Sequence, residues 1–165
     1  MNINDIFNGL VRYPVDAARN LPQLTAQQLN AHPAGHPNSI AWLLWHSGRE
    51  VDTQLADLSG GAERWEEYRD RFNLGELGES MGYGHTPQQA GQITCENQDL
   101  LIDYLDTTLN ALGDYAGSLS EAELDEVIDR SWEQPVTRGV RLLSIIDDAI
   151  VHVGQAAYAA GAVTR

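Results

Sequence analysis

The stretch VRLLSIIDDAIVHVGQAAYAAG, residues 140–161, decides the fold class. Apolar and small residues occupy most of its helical circumference, and this spacing predicts one long helix that ends at Gly161. A helix that is apolar on several sides must be covered on several sides. We therefore expect it at the centre of a helical bundle or facing a second subunit.

Three further segments have the apolar spacing of amphipathic helices, and they cover about residues 3–21, 40–58 and 86–115. Pro14 is predicted to kink or divide the first of them. Asn38 or Ser39 can cap the second, which should end at Gly60, and Thr86 begins the third with a capping-box pattern. No strand pattern of comparable strength appears, so the sequence predicts an all-α bundle of four main helices.

The composition indicates one globular domain and excludes several classes of partner. The chain has 165 residues, of which 42% are hydrophobic, and this is enough for a single core over residues 1–165. It has 24 acidic and 10 basic side chains, a net charge of -14, and no lysine. Such a surface repels phosphate, so we expect no nucleic-acid or membrane partner, and lysine Schiff-base chemistry is excluded.

The first residues, the lack of a long apolar segment and the single cysteine favour a cytoplasmic protein. The first ten residues, MNINDIFNGL, lack the basic start and the apolar run of a signal peptide, and no segment is apolar enough to span a membrane. Cys95 cannot close an intrachain disulfide, in agreement with a reducing compartment. It falls within the third predicted helix, so inert packing is a simpler interpretation than a nucleophile.

Asp148 and His152 are the first residues that suggest chemistry. They are four residues apart on the last predicted helix, so their side chains leave the same face on successive turns. A carboxylate and an imidazole among apolar neighbours need a partner, and a divalent metal would satisfy both. The alternative is a hydrogen bond or ion pair between the two. Asp147 points about 100 degrees away and is expected at the surface.

His46 is the candidate for a third ligand, in the segment WLLWHSGREVD of residues 42–52. Metal sites in bundles are built by facing helices, and three protein ligands with one open position are typical of a catalytic zinc-type site. The alternative for His46 is a packed core histidine. Glu50 is a fourth ligand, an acceptor for His46 or a surface glutamate, and a surface position is the first expectation.

The sequence resembles the DinB superfamily, the group that includes the mycothiol-dependent maleylpyruvate isomerases. NSIAWLLWHSGREVD, GYGHTPQQ and RLLSIIDDAIVHVGQAAYAAG carry the resemblance, which covers nearly the whole chain. It implies an antiparallel four-helix bundle with a divalent metal, often zinc or nickel, held by one histidine of the second helix and two ligands of the last. His46, Asp148 and His152 stand at the matching positions, followed by Gln155.

One departure from the family pattern concerns Asp148, because that position usually carries histidine, or glutamate in the isomerase branch. Aspartate is one methylene shorter than glutamate, so it either binds the metal at a looser site or pairs with His152 alone. Near MGYGHTP, residues 81–87, Tyr83 and His85 are candidates for a pocket above the metal, since two glycines let the backbone approach closely. The alternative is that His85 only precedes a helix cap.

Three functions follow. The resemblance implies a transferase or isomerase that uses a low-molecular-weight thiol such as mycothiol on a small electrophilic substrate, with metal-bound sulfur as the nucleophile. The same metal could instead activate water in a small-molecule hydrolase, with Glu50 as the first candidate for a general base. The third hypothesis is a non-catalytic, stress-associated bundle. A homodimer through the last helix is expected in each case.

Overall fold

A computed structural model describes residues 3–164, and this part of the chain is mostly helical. The helices are α1 (Ile3–Arg19), α2 (Ala26–Leu29), α3 (Ile40–Ser59), α4 (Trp65–Phe72), α5 (Gly75–Gly78), α6 (Pro87–Ala90), α7 (Gln98–Ser118), α8 (Glu121–Leu124) and α9 (Arg138–Val163), with a 3₁₀ turn at Pro33–Gly35. A small antiparallel sheet, β1 (Val127–Asp129) and β2 (Val136–Thr137), precedes α9. The all-α prediction is confirmed.

The four long helices α1, α3, α7 and α9 form the bundle, in which α3 and α1 each pack against both α7 and α9. The carbonyl of Leu58, near the end of α3, accepts hydrogen bonds from Tyr115, near the end of α7, and from Arg138, at the start of α9. Hence α3 is parallel to α7 and antiparallel to α9. The antiparallel packing of α3 on α9 is what positions the candidate site.

The segment between α3 and α7 runs back along the bundle. The backbone N–H of Arg64 donates to Asp52 at 2.8 Å, and further along the chain Trp42 donates to His85 at 3.4 Å. Because α7 is parallel to α3 and is the next long helix, the chain must first return to the end of the bundle at which α3 began. This return brings residues 79–85 against the first half of α3.

The predicted bounds of α3 are confirmed by its caps. The hydroxyl of Ser39 accepts from the N–H of Trp42 at 3.1 Å, and Gly60 ends the helix in the left-handed region at φ 69°. Only glycine adopts that conformation without steric cost. The prediction for Pro14 was wrong in part, because α1 continues through it to Arg19.

The prediction that a long helix begins at Thr86 was wrong. The capping box of Thr86 forms, but α6 ends after one turn, and α7 begins at Gln98 with Asn97 as its N-cap. Cys95 therefore lies outside a helix, where it is buried and its thiol donates to the carbonyl of Asn97 at 3.3 Å. Burial raises the pKa of this thiol, in agreement with a packing role.

The last helix extends two residues beyond the predicted end at Gly161, and only one of its sides is covered. Its buried residues are Leu142, Ile145, Ile146, Ala149, Val153, Ala156 and Ala160. The opposite side exposes large apolar side chains at Val140, Leu143, Val151 and Tyr158. Within residues 3–164, no helix has the length and hydrophobicity needed to cross a bilayer.

Candidate metal centre

Two helices bring four potential ligands together. His46 and Glu50 are four residues apart on α3, and Asp148 and His152 are four residues apart on α9. Because the two helices are antiparallel neighbours, the two pairs face each other. One ligand atom of each residue lies within 4.8 Å of all the others, so a single ion could contact all four.

The four side chains of the cluster are only partly exposed to solvent, and His46 is the most buried of them. The side chain of His46 is 6% exposed and that of Glu50 is 20% exposed. The side chains of His152 and Asp148 are 18% and 36% exposed. Asp148 is therefore the member of the cluster nearest to solvent, and His46 is the innermost.

Both histidines direct a ring nitrogen into the cluster. The Nδ1 of His46 donates to the carbonyl of Met81, and so its Nε2 carries a lone pair, 3.6 Å from a carboxylate oxygen of Glu50. His152 follows the same pattern: Nδ1 lies 3.1 Å from Oε1 of Gln155, and Nε2 lies 3.3 Å from Oδ2 of Asp148. With the N–H groups directed outward, the cluster presents acceptors, and this is the arrangement that a cation requires.

The electrostatics of the metal-free cluster are unfavourable. The Oδ2 atom of Asp148 is buried and has no hydrogen-bond partner among the described residues. Burial, together with the neighbouring Asp148, raises the pKa of Glu50 to about 8. Burial also lowers the pKa of His46, which stays neutral and able to bind a metal. Two imidazoles and two carboxylates without a counter-charge fit a divalent cation.

The structure therefore brings the three residues predicted as ligands into one cluster and adds Glu50 to it. A surface position was the first expectation for Glu50 and is wrong, because its side chain is largely buried and also accepts from Gln54 at 3.1 Å. Gln155 lies at the outer edge, against His152. Its amide is the partner that directs the ring of that histidine.

The other two pocket candidates lie beside the cluster rather than in it. The Nδ1 of His85 accepts from Trp42, and its Nε2 is 2.9 Å from the hydroxyl of Ser80. Trp42 in turn stacks on His46, with ring centroids 4.4 Å apart, so His85 is linked to the site through this ring. Tyr83 is 87% exposed, in the short loop over His46.

Sequence reasoning missed the carbonyl of Met81, the partner of His46. No signal in the sequence marks a backbone carbonyl as a partner for a ligand, since every residue has one. The glycines on either side of Tyr83 were the nearest indication. Gly82 and Gly84 both have positive φ, 90° and 75°, and this lets the chain turn sharply over the ring of His46.

Comparisons with known proteins agree with this architecture. The sequence profile described as the DinB superfamily matches residues 16–156. The chain is also similar to a solved structure described as a conserved protein from Enterococcus faecalis, with 33% identity, a TM-score of 0.91 and coverage of 99% of this chain and 98% of that one. No curated protein matches the sequence significantly. The chain belongs to the DinB superfamily.

Proposed function

We propose that this protein is a metal-dependent enzyme that binds one divalent transition metal, zinc or nickel, through His46, Asp148 and His152, with Glu50 as the fourth group. The observation that carries the proposal is the convergence of two imidazole lone pairs and two carboxylates within 4.8 Å. Such a cluster is costly without a cation, and one of its oxygens has no partner among the described residues. Imidazole and carboxylate are ligands that zinc and nickel accept.

Glu50 decides whether the site has room for a reactant. If all four side chains bind zinc, the site has the closed tetrahedral shell that is typical of structural zinc. If Glu50 does not bind the metal, the protein supplies three ligands and one coordination position is open. A small molecule would then reach that position past Asp148, the most exposed of the four side chains.

The nucleophile that we propose is a low-molecular-weight thiol, mycothiol or a similar compound. The proposed reaction is either the transfer of this thiol to a small electrophile or the isomerisation of the electrophile. A divalent metal in this site would lower the pKa of a bound thiol or water molecule. The family relationship supports the choice of thiol. A thiol supplied by a small molecule also suits this chain, because its single cysteine, Cys95, is buried and has a raised pKa.

A second candidate function is the hydrolysis of a small molecule, and the position of Glu50 favours it. A carboxylate beside the open position can accept the proton of an attacking water molecule. Gln54 holds one oxygen of Glu50, and the other faces the cluster. In this function Glu50 is the base, and His46, Asp148 and His152 are the ligands.

We also propose that the protein is a homodimer that uses the exposed side of α9. Val140, Leu143, Val151 and Tyr158 share that side and are each at least 47% exposed. A second copy would remove these apolar surfaces from water. Light scattering of the parent protein and of Val151→Asp tests this: the proposal expects a dimer and a monomer, respectively.

The metal proposal is tested by elemental analysis of untagged protein, beside His46→Ala and His152→Ala. His36→Ala is the matched control, because His36 is exposed and lies outside the cluster. We expect about one metal ion per chain in the parent and the control, and none in the other two variants while they remain folded. If the parent binds no metal after incubation with zinc or nickel, both metal-dependent functions fail and the hypothesis of a non-catalytic bundle is favoured.

Assays of the loaded protein separate the two reactions. Electrophiles are offered with mycothiol or without any thiol, and Glu50→Gln is compared with the parent. Turnover that depends on the thiol supports the transferase or isomerase. Turnover in water alone that falls in Glu50→Gln, while the metal is retained, supports the hydrolase.

A further inference from the structure

Arg49 is a charged side chain that is buried in the bundle, with 2% exposure. Its guanidinium spans two successive carbonyls of the returning segment: Nε donates to Ser80 at 3.2 Å and Nη2 donates to Glu79 at 3.1 Å. The remaining nitrogen, Nη1, donates to Glu63 at 2.7 Å. Arg49 therefore ties α3 to the backbone of residues 79–80.

The next residue of that segment is Met81, whose carbonyl accepts the Nδ1–H of His46. The segment then passes directly over the imidazole. A Cβ atom on Gly82 would lie 3.2 Å from Nδ1 of His46 and 2.9 Å from the ring of Trp45. His46 and Arg49 are three residues apart, so one face of α3 presents both groups to the same stretch of backbone.

We infer that Arg49 is a positioning residue for His46. By fixing the carbonyls of Glu79 and Ser80, it holds the next carbonyl, that of Met81, against Nδ1 of His46. This contact keeps the proton on Nδ1, and the lone pair of Nε2 then faces the cluster on α9. The inference deepens the proposed metal site and rests on it only for the effect on metal affinity.

The chemistry of Arg49 suits this role better than a role in stability alone. Its planar guanidinium matches two carbonyls at once, which the ammonium of lysine does not. Burial of a charge is costly, and an apolar side chain of similar volume is commonly as stabilising as a buried ion pair. The charge is compensated here by Glu63, by Asp52 at 3.7 Å and by the ring of Trp65, 4.8 Å away. The main effect of Arg49 is therefore to fix the backbone of residues 79–80 against α3.

The tautomer of His46 is the readout that tests the inference, because it is measured in metal-free protein. Nitrogen-15 NMR of the five histidines, with His46→Gln to assign the signal, distinguishes Nδ1–H from Nε2–H. We expect Nδ1–H in the parent and loss of this preference in Arg49→Lys. Glu63→Gln is the control: it removes the nearer of the two carboxylates that pair with Arg49 and leaves both carbonyl contacts, so the parent tautomer should remain.

A glycine pair keeps the test decisive should Arg49→Lys fail to fold. Gly82→Ala and Gly84→Ala both place alanine at positive φ, but only the methyl group at position 82 meets His46, since no atom lies within 4 Å at position 84. We expect Gly82→Ala to lose the Nδ1–H preference and Gly84→Ala to keep it. An Nε2–H tautomer in the parent, or a parent-like tautomer in folded Arg49→Lys, overturns the inference. If Arg49→Lys does not fold, a parent-like tautomer in Gly82→Ala overturns it.

Zinc titration of the same variants measures the consequence. Loss of a group that orients a metal-binding histidine typically weakens metal affinity by about 10- to 100-fold. We expect this loss in Arg49→Lys and Gly82→Ala, with the parent affinity in Glu63→Gln and Gly84→Ala. Equal affinities in all five proteins overturn the role of Arg49 in metal binding. If the parent binds neither zinc nor nickel, the proposed function fails, and the tautomers still decide the positioning role.

Discussion

The carboxyl groups of Glu50 and Asp148 face each other from α3 and α9, in a cluster whose ligand atoms lie within 4.8 Å of one another. Two carboxylates at this separation repel, so one of them retains a proton at neutral pH. The pKa of Glu50 is accordingly raised to about 8, with burial as the main cause and Asp148 as the second. The metal-free site thus holds a proton where the metal-loaded site would hold a cation.

Metal binding should therefore release a proton. At pH 7 Glu50 is mostly protonated in the free protein, and a cation in the cluster favours its ionised form. Calorimetric titration with zinc in buffers of different ionisation enthalpy should show the release of about one proton per ion. Glu50→Gln, which has no proton to lose at this position, should release almost none. Equal proton release from both proteins would contradict the conclusion that Glu50 is protonated in the metal-free protein.

The stability of the metal-free protein should fall as the pH rises from about 5 to 8. The native state keeps the proton of Glu50 up to a pKa of about 8, whereas the unfolded chain loses it near the ordinary value of 4.5. Between these values the native state binds more protons, so each unit of pH removes up to about 1.4 kcal/mol.

Urea unfolding in the presence of a chelator, from pH 5.5 to 8.5, measures this slope. His46 acts in the opposite direction, because its lowered pKa makes stability rise with pH below about 6.5. Comparison with Glu50→Gln isolates the contribution of Glu50, since that variant keeps the contributions of His46 and of the other titrating groups. A parent slope identical to that of Glu50→Gln would show that Glu50 is ionised in the native state.

Asp148→Asn should stabilise the metal-free protein and weaken metal binding. The substitution removes the negative charge next to Glu50 and gives the buried Oδ2 position a neutral group. The expected gain in the free energy of unfolding is about 1–2 kcal/mol at pH 8. Metal affinity should fall, because an amide is a weaker ligand than a carboxylate. Asp147→Asn is the control: its side chain is exposed, and neither property should change.

Local patterns in the sequence were sufficient for the helices and for the residues that share a helical face. Ser39 and Gly60 bound α3 as predicted, because caps depend on neighbouring residues. The spacing of Asp148 and His152 placed both side chains on one face of α9 for the same reason. The meeting of this pair with His46 followed from the resemblance to a family, since spacing alone does not specify which helices face each other.

Features that depend on the course of the segment between α3 and α7, or on the packing of distant helices, could not be predicted from the sequence. The capping pattern at Thr86 describes only the first turn, and α7 begins later, at Gln98, where the chain reaches the start of the bundle. Glu50 lies at the edge of the apolar stripe, and its burial depends on α9 packing against it. The same is true of Arg49, whose partners are carbonyls brought there by the returning segment.

The close contact between α3 and α7 yields the last prediction, that Gly48→Ala destabilises the protein although alanine favours helices. A Cβ atom at position 48 would lie 2.6 Å from Cδ1 and 2.8 Å from Cε1 of Tyr104. That ring is fully buried, and its hydroxyl donates to Asp52 at 2.7 Å, so it cannot move aside freely. Overpacking of this kind costs about 1–3 kcal/mol, and the helical preference of alanine recovers about 1 kcal/mol.

Gly9→Ala is the matched control for this change, because Gly9 also lies within a long helix and has no atom within 4 Å of the added methyl group. It should raise the free energy of unfolding by about 0.5–1 kcal/mol. Urea unfolding with the slopes held equal compares the two variants. A Gly48→Ala protein as stable as Gly9→Ala would mean that Tyr104 can leave its position, and the hydroxyl contact with Asp52 would then be dispensable.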